Sequence, residues 1–213
     1  MRVPAIAFAL VFVGCVDKGD EGLFIVNNSA PSGTTCSLSG DASQPFLAHG
    51  RIAQNSPEGY LITPLIQSRI DSLVGHEAER TVHLEGANVT LSSVDSTGKL
   101  SAGSSFTALF SGSVGPLDTV NVGFEVLPAS MTATPGEYSA SITVFGSLGG
   151  GRIEGQPFDY PITVCTNCIL RDIGACGPTT TTMNLGNPCN PFQDGVVDCC
   201  TSGTSLVCPA TPM

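Results

Sequence analysis

The chain has 213 residues, room for one domain of ordinary size plus a smaller appendage. It is 41% apolar but only 12% charged, against roughly 25% in an average soluble domain, a balance that suits short strands joined by turns. Its 18 acidic and 8 basic residues give a formal charge of −10, which speaks against nucleic acid as a partner and against membrane attachment through a basic patch. Nine cysteines point to an oxidising compartment, since that many thiols would be a liability in a reducing cytosol unless they bound metal.

The first predicted element is a leader. Met1-Arg2 supplies a positive end, Val3 to Val13 carries no charge, and Gly14-Cys15 offers a small residue before a cut, so residues 1–14 read as a signal peptide. The apolar stretch is too short to cross a bilayer core of roughly 30 Å, which takes about 20 helical residues. Phe12-Val13-Gly14-Cys15 resembles the lipobox of bacterial lipoproteins, with Phe12 departing from the usual Leu. That resemblance implies a diacylglycerol on the Cys15 thiol, removal of the leader and acylation of the new amino terminus, so the expected partner is a membrane held through lipid. Two or three acyl chains anchor stably where one binds only marginally. Cysteine parity agrees: with Cys15 given to lipid, Cys36, Cys165, Cys168, Cys176, Cys189, Cys199, Cys200 and Cys208 form an even set. Without Arg2 the chain would carry 18 acidic and 7 basic residues, about −11. Residues 15–21 read as a polar tether, and Val16 in place of Asp after the cysteine implies, by the same resemblance, the outer membrane.

Residues 22–164 read in period two. Val82 with Leu84, Val89 with Leu91, and Phe106, Ala108 and Phe110 each alternate with polar neighbours. Val120, Val122, Phe124 and Val126 predict one strand, and Tyr138, Ala140, Ile142 and Val144 another. Pro135-Gly136-Glu137-Tyr138 resembles the tyrosine corner of immunoglobulin-like domains, in which the phenol bonds back to the chain. Gly149-Gly150-Gly151 predicts a turn returning Arg152 to Val164 as the last strand of a hairpin. The expected fold is therefore all-β, an immunoglobulin-like antiparallel β-sandwich followed by a small disulfide-rich module. Between Pro64 and Val74 the apolar residues fall at helical spacing, with Thr63 as a cap and Gly75 as a stop, yet Tyr60-Leu61-Ile62 reads as a strand. A strand running into one short helical turn is the expectation there.

Residues 165–213 hold seven cysteines and few residues that could build a core, so cross-links must do what burial cannot. Seven is odd, and Cys36 is expected to reach one of them, while Cys199 and Cys200 must take different partners. Cys176, Cys189, Cys199-Cys200 and Leu206-Val207-Cys208 resemble inhibitor-cystine-knot miniproteins over about 33 residues. That resemblance implies Cys176 with Cys200 and Cys189 with Cys208, leaving Cys199 to look back to Cys165 or Cys168.

Chemistry is sparse. Cys165-Thr166-Asn167-Cys168 has the spacing of a redox pair or half a zinc site, but no βαβ pattern surrounds it and no histidine lies in the tail, so structural disulfides are expected. His76-Glu77-Ala78-Glu79-Arg80 begins like a zinc-protease signature and fails at Arg80. His49 and His83 sit in other segments. Asn187, Asn190, Asp194 and Asp198 lack the order of a calcium loop, and a turn at Asp194-Gly195 explains them. No catalytic, metal or cofactor site is expected. In stretches such as Tyr60-Leu61-Ile62-Thr63-Pro64-Leu65 and Asn190-Pro191-Phe192-Gln193-Asp194-Gly195 the chain resembles surface lipoproteins of myxobacterial type, which implies a compartment and no activity. The expected role is a non-catalytic binding or structural module with a protein or glycan ligand; the alternatives are an enzyme built on scattered carboxylates and a knottin-like protease inhibitor in the tail.

Overall fold

The computed structural model describes residues 22–30, 36–38, 43, 45–101, 103–177 and 183–209. The leader, Cys15 and the tether to residue 21 lie outside the described residues. In chain order the strands are β1 (Leu23–Asn28), β2 (Gly50–Ala53), β3 (Tyr60–Ile62), β4 (Pro64–Ser68), β5 (Val82–Val94), β6 (Ser104–Val114), β7 (Thr119–Asn121) and β8 (Phe124–Leu127). They continue as β9 (Gly136–Leu148), β10 (Gly151–Glu154), β11 (Phe158–Cys165), β12 (Leu170–Ala175), β13 (Val197–Ser202) and β14 (Ser205–Val207). Short 3-10 turns at Ala78–Arg80 and Ala129–Met131 interrupt them, and no α-helix occurs among the described residues. None of their helices is long and apolar enough to cross a membrane.

The largest sheet runs β2-β11-β9-β5-β6, with β10 also paired to β9. Two smaller sheets, β1-β4-β7 and β3-β8, share its core: Val89, Ile142 and Ile162 from the large sheet belong to one buried cluster with Leu23, Ile66 and Val126. Each such side chain removed from water contributes roughly 1.5 to 3 kcal/mol, so the alternation read in β5 and β9, continued by β11, is what joins the sheets.

The predicted hairpin turn forms at Gly149-Gly150, both left-handed at φ 56° and 83°, with Leu148 paired to Gly151 as a two-residue turn requires. The return strand is split, since Gly155 donates its N–H to Val144 O while Gln156 turns away to Leu23 O. Against β9 the extra residue lies in β5 between Leu84 and Gly86, and against β6 it lies in β6 between Leu109 and Gly112; a Cβ on Gly86 would stand 2.6 Å from the carbonyl oxygen of Ala108. The Tyr138 hydroxyl donates to Thr134 O at 3.0 Å, the backbone tie expected of it.

Several expectations need correction. The pairing is not purely antiparallel: β2 lies parallel to β11 and β12 parallel to β13, which the long excursions between these partners permit. Residues 64–74 form no helical turn. Pro64–Ser68 is a strand between β1 and β7, buried at four of its five positions, and a strand with both faces covered gives the unbroken apolar run that mimics helical spacing. The single strand predicted over 120–126 is two, β7 on β4 and β8 on β3, because the chain passes from one small sheet to the other at Val122-Gly123.

The disulfides are Cys36–Cys189, Cys165–Cys168, Cys176–Cys200 and Cys199–Cys208. Cys176–Cys200 is the pairing the knot spacing implies. The implied Cys189–Cys208 bond does not form, since Cys189 is taken by Cys36, and Cys199 pairs forward with Cys208 and not back to Cys165 or Cys168, which close on each other. The order of a cystine knot is therefore absent. Four disulfides place the chain in an oxidising environment outside the cytoplasm.

Candidate functional site

All three of the chain's tyrosines are buried in the core, where the ring suits its surroundings and the hydroxyl must find a partner. Tyr60 on β3 and Tyr160 on β11 meet, hydroxyl to hydroxyl, at 3.0 Å. Tyr60 donates to Asp194 Oδ2 at 2.7 Å, so Tyr160 must donate to Tyr60, and Tyr160 in turn accepts from Asn28 Nδ2 at 2.8 Å. A directed chain of bonds thus runs from Asn28 in β1 to the carboxylate of Asp194. Arg51 N–H donates to Asp194 Oδ1 at 2.8 Å, and Gln193 Nε2 reaches Oδ2 at 3.2 Å.

Gln193 acts as one further strand residue. Its Oε1 accepts from Leu61 N at 2.8 Å and its Nε2 donates to Leu61 O at 2.8 Å, completing both backbone groups of one residue of β3. Asn190, fully buried, donates to Gly59 O at 3.0 Å and accepts from Phe192 N at 3.0 Å. Ala53 N bonds Phe192 O and Asp194 N bonds Arg51 O, so residues 192–194 also cover the edge of β2. Burial raises the Asp194 carboxyl above its usual range against the pull of these donors. Burial pushes the Tyr160 phenol up to about 12, and burial together with the Asp194 charge raises Tyr60 further.

This junction fixes one wall of a cleft of about 480 Å³. Pro191 and Phe192 belong to that wall, and the cleft is also lined by Thr166 and Asn167 of the Cys165–Cys168 loop, by Gln54, Asn55 and Ser56, and by Ile169, Leu170 and Val197. Thr166 Oγ1 donates to Gln54 Oε1 at 2.7 Å, and Gln54 Nε2 donates to Ala133 O at 3.1 Å. Asn55 and Asn167 are left-handed, at φ 56° and 58°, a conformation that asparagine tolerates and that recurs at functional sites. Among the described residues no lining side chain is ionisable at neutral pH, Cys208 being held in its disulfide. The cleft can offer amide and hydroxyl hydrogen bonds beside an apolar floor.

The residues singled out in the sequence scatter. Cys165 and Cys168 flank the cleft as a disulfide. His76 contacts Glu79 at 3.2 Å, and His49 bonds the Thr163 hydroxyl, which donates to Glu137 at 2.7 Å, all on exposed surface. Asp198 is buried and clamped by Arg171 through bonds of 2.7 and 3.0 Å, and the Asn187 side chain accepts from Cys189 N at 2.9 Å. The chain bends at Asp194-Gly195 with Asp194 left-handed at φ 57°. Among the described residues no three histidine, cysteine or acidic side chains converge as metal ligands would. A recess of about 320 Å³ is lined by both Glu58 and Glu125, with the Glu125 carboxyl raised by burial while it takes the N–H of Gly59. Tyr60, Tyr160, Asn28 and Gln193 escaped the sequence reading, although a tyrosine in an inward strand position advertises a hydroxyl in need of a partner.

No protein-family model matches the chain, and no curated protein matches it. Solved structures with partial similarity include an alkylpurine DNA glycosylase, AlkC, of Pseudomonas fluorescens bound to DNA with an abasic site analog, at 18% identity and TM-score 0.30 over 53% of this chain and 27% of that one. A family 123 glycoside hydrolase from Clostridium perfringens aligns at 16% identity and TM-score 0.27, over 57% of this chain and 24% of that one. The chain spans about a quarter of the length of each, and scores this low support no argument on fold or activity.

Proposed function

We propose that this chain is a lipid-anchored extracytoplasmic binding module, carried by an immunoglobulin-like sandwich and holding an uncharged ligand, a glycan or a neutral peptide segment. One observation carries the binding role: the cleft at the tail junction is lined by neutral amides and hydroxyls over an apolar floor. That lining is suited to orienting a ligand by hydrogen bonds and burying its apolar face. The sandwich reading is supported by the two packed layers and by the Tyr138 bond to Thr134. The anchor reading rests on the lipobox resemblance at Cys15 and on the even set of eight cysteines that form four bonds.

The test is a binding screen against neutral glycans and peptides, repeated with Phe192→Ala and Asn167→Asp. A ligand lost by both variants at unchanged stability supports the reading; a ligand indifferent to both sinks it. Glu58 and Glu125, which line one recess, favour a second reading, a hydrolase. A turnover abolished by Glu125→Gln but not by Phe192→Ala would replace the first.

A further inference from the structure

We propose that β6 is a self-association edge, pairing antiparallel with β6 of a second copy about a twofold axis at Leu109. The large sheet ends in β2 on one side and β6 on the other. β2 has four residues and is covered by residues 192–194, while the four-residue β10 carries the ion pair Arg152–Glu154 at 2.8 Å, a charged guard. β6 is different. It runs eleven residues, Ser-Ser-Phe-Thr-Ala-Leu-Phe-Ser-Gly-Ser-Val, without a charge or a proline, and pairs only with β5 among the described residues. Leu109 in its middle is 79% exposed.

The occupant follows from the strand's own symmetry. With Leu109 opposite Leu109, Thr107 falls opposite Ser111 and Ser105 opposite Ser113 on the outer face, hydroxyl against hydroxyl. On the inner face Phe106 falls opposite Gly112 and Ala108 opposite Phe110, large against small, as interdigitation requires. β6 already uses this chemistry on its occupied side, where Thr90 meets Ser105 at 2.9 Å and Thr107 donates to Asn88 at 3.1 Å. Opposed residues of an antiparallel pair share a face, so this register keeps the covering layers of both copies on the same side. Eleven residues span about 37 Å; the one-residue slip that β6 shows against β5 between Leu109 and Gly112 breaks the ladder there, leaving somewhat fewer than about ten interchain backbone bonds, within the range of a specific interface. An acidic chain needs a neutral seam to meet its own copy, and this strand supplies one.

The full chain, purified in mild detergent, is examined by sedimentation and by oxidation of single-cysteine variants. The expected result is a dimer, with Leu109→Cys linking two copies, Thr107→Cys alone failing, and Thr107→Cys with Ser111→Cys linking again. Unsubstituted protein, in which eight of the nine cysteines are held in disulfides, sets the baseline. Leu109→Lys, which opposes two ammonium groups at an exposed site, weakens the dimer roughly tenfold or more with the circular dichroism unchanged. A monomer at all concentrations, a dimer indifferent to Leu109→Lys, or Leu109→Cys linking to a different protein and not to itself would each overturn the proposal.

Discussion

Tyr60→Phe tests whether the buried polar chain holds the tail to the body. Tyr60 is fully buried, and the substitution keeps the ring while deleting the hydroxyl that donates to Asp194 and accepts from Tyr160. A hydrogen bond to a charged group contributes roughly 1.5 to 3 kcal/mol, and a buried hydroxyl left without an acceptor costs roughly 1 to 3. Relaxation of Tyr160 recovers part of this, so the expected loss is about 3 kcal/mol. The assay is urea unfolding followed by far-ultraviolet circular dichroism with the disulfides intact, which suits a chain that has no tryptophan. Asp194→Asn and the double variant complete a cycle, and residues in direct contact should couple by 1 kcal/mol or more. A loss below about 0.5 kcal/mol, or additive single effects, would show that the tyrosines are packing residues and that the reasoning fails.

Three further outcomes follow from the same geometry. Because burial raises the Asp194 carboxyl, the folded chain favours its protonated form: that stability is complete below the unfolded value near 3.8 and is lost as pH rises through the raised folded value. The stability advantage of the native protein over Asp194→Asn should shrink as pH climbs through that window, and a flat difference would contradict the assignment. Removing Cys36–Cys189, which closes a separation of 153 residues, should cost about 5 kcal/mol by loop entropy, against about 2 for Cys165–Cys168 at a separation of 3; equal losses in denaturant melts of the two double-serine variants would refute the ordering. Gly86→Val should destabilise by about 3 kcal/mol or more, since its Cβ would meet the Ala108 carbonyl oxygen, and a melting temperature within a degree of the parent would say that the bulge yields freely.

What the sequence made legible was whatever depends on period two. The inward residues of β5 and β9 could be read directly because each strand has one dry face. Pro64–Ser68 could not, because a strand buried on both sides loses its alternation, and the break at Val122-Gly123 was hidden because inward spacing continues across a change of sheet. Cys176–Cys200 and the reach of Cys36 into the tail agree with expectation, while the remaining disulfide partners were beyond reach for another reason: adjacency of cysteines in space depends on how the tail lies on the body. That placement is decided by Asn190, Gln193 and Asp194, which in the sequence look like turn residues.

The tail is therefore an extension of the sheet surface more than an appendage to it. Gln193 completes β3, residues 192–194 cover β2, and Cys36–Cys189 fixes the covalent crossing nearby. A segment too poor in apolar residues to fold by burial gains its shape by lending backbone and amide groups to strands that need partners. The cleft follows from that arrangement, because Phe192 stands in its wall only while its carbonyl is held by Ala53 and its neighbours by Leu61 and Tyr60. Loosening the junction should thus open the cleft before it unfolds the body, and Tyr60→Phe should weaken a cleft ligand even under conditions where the β-sheet core remains intact.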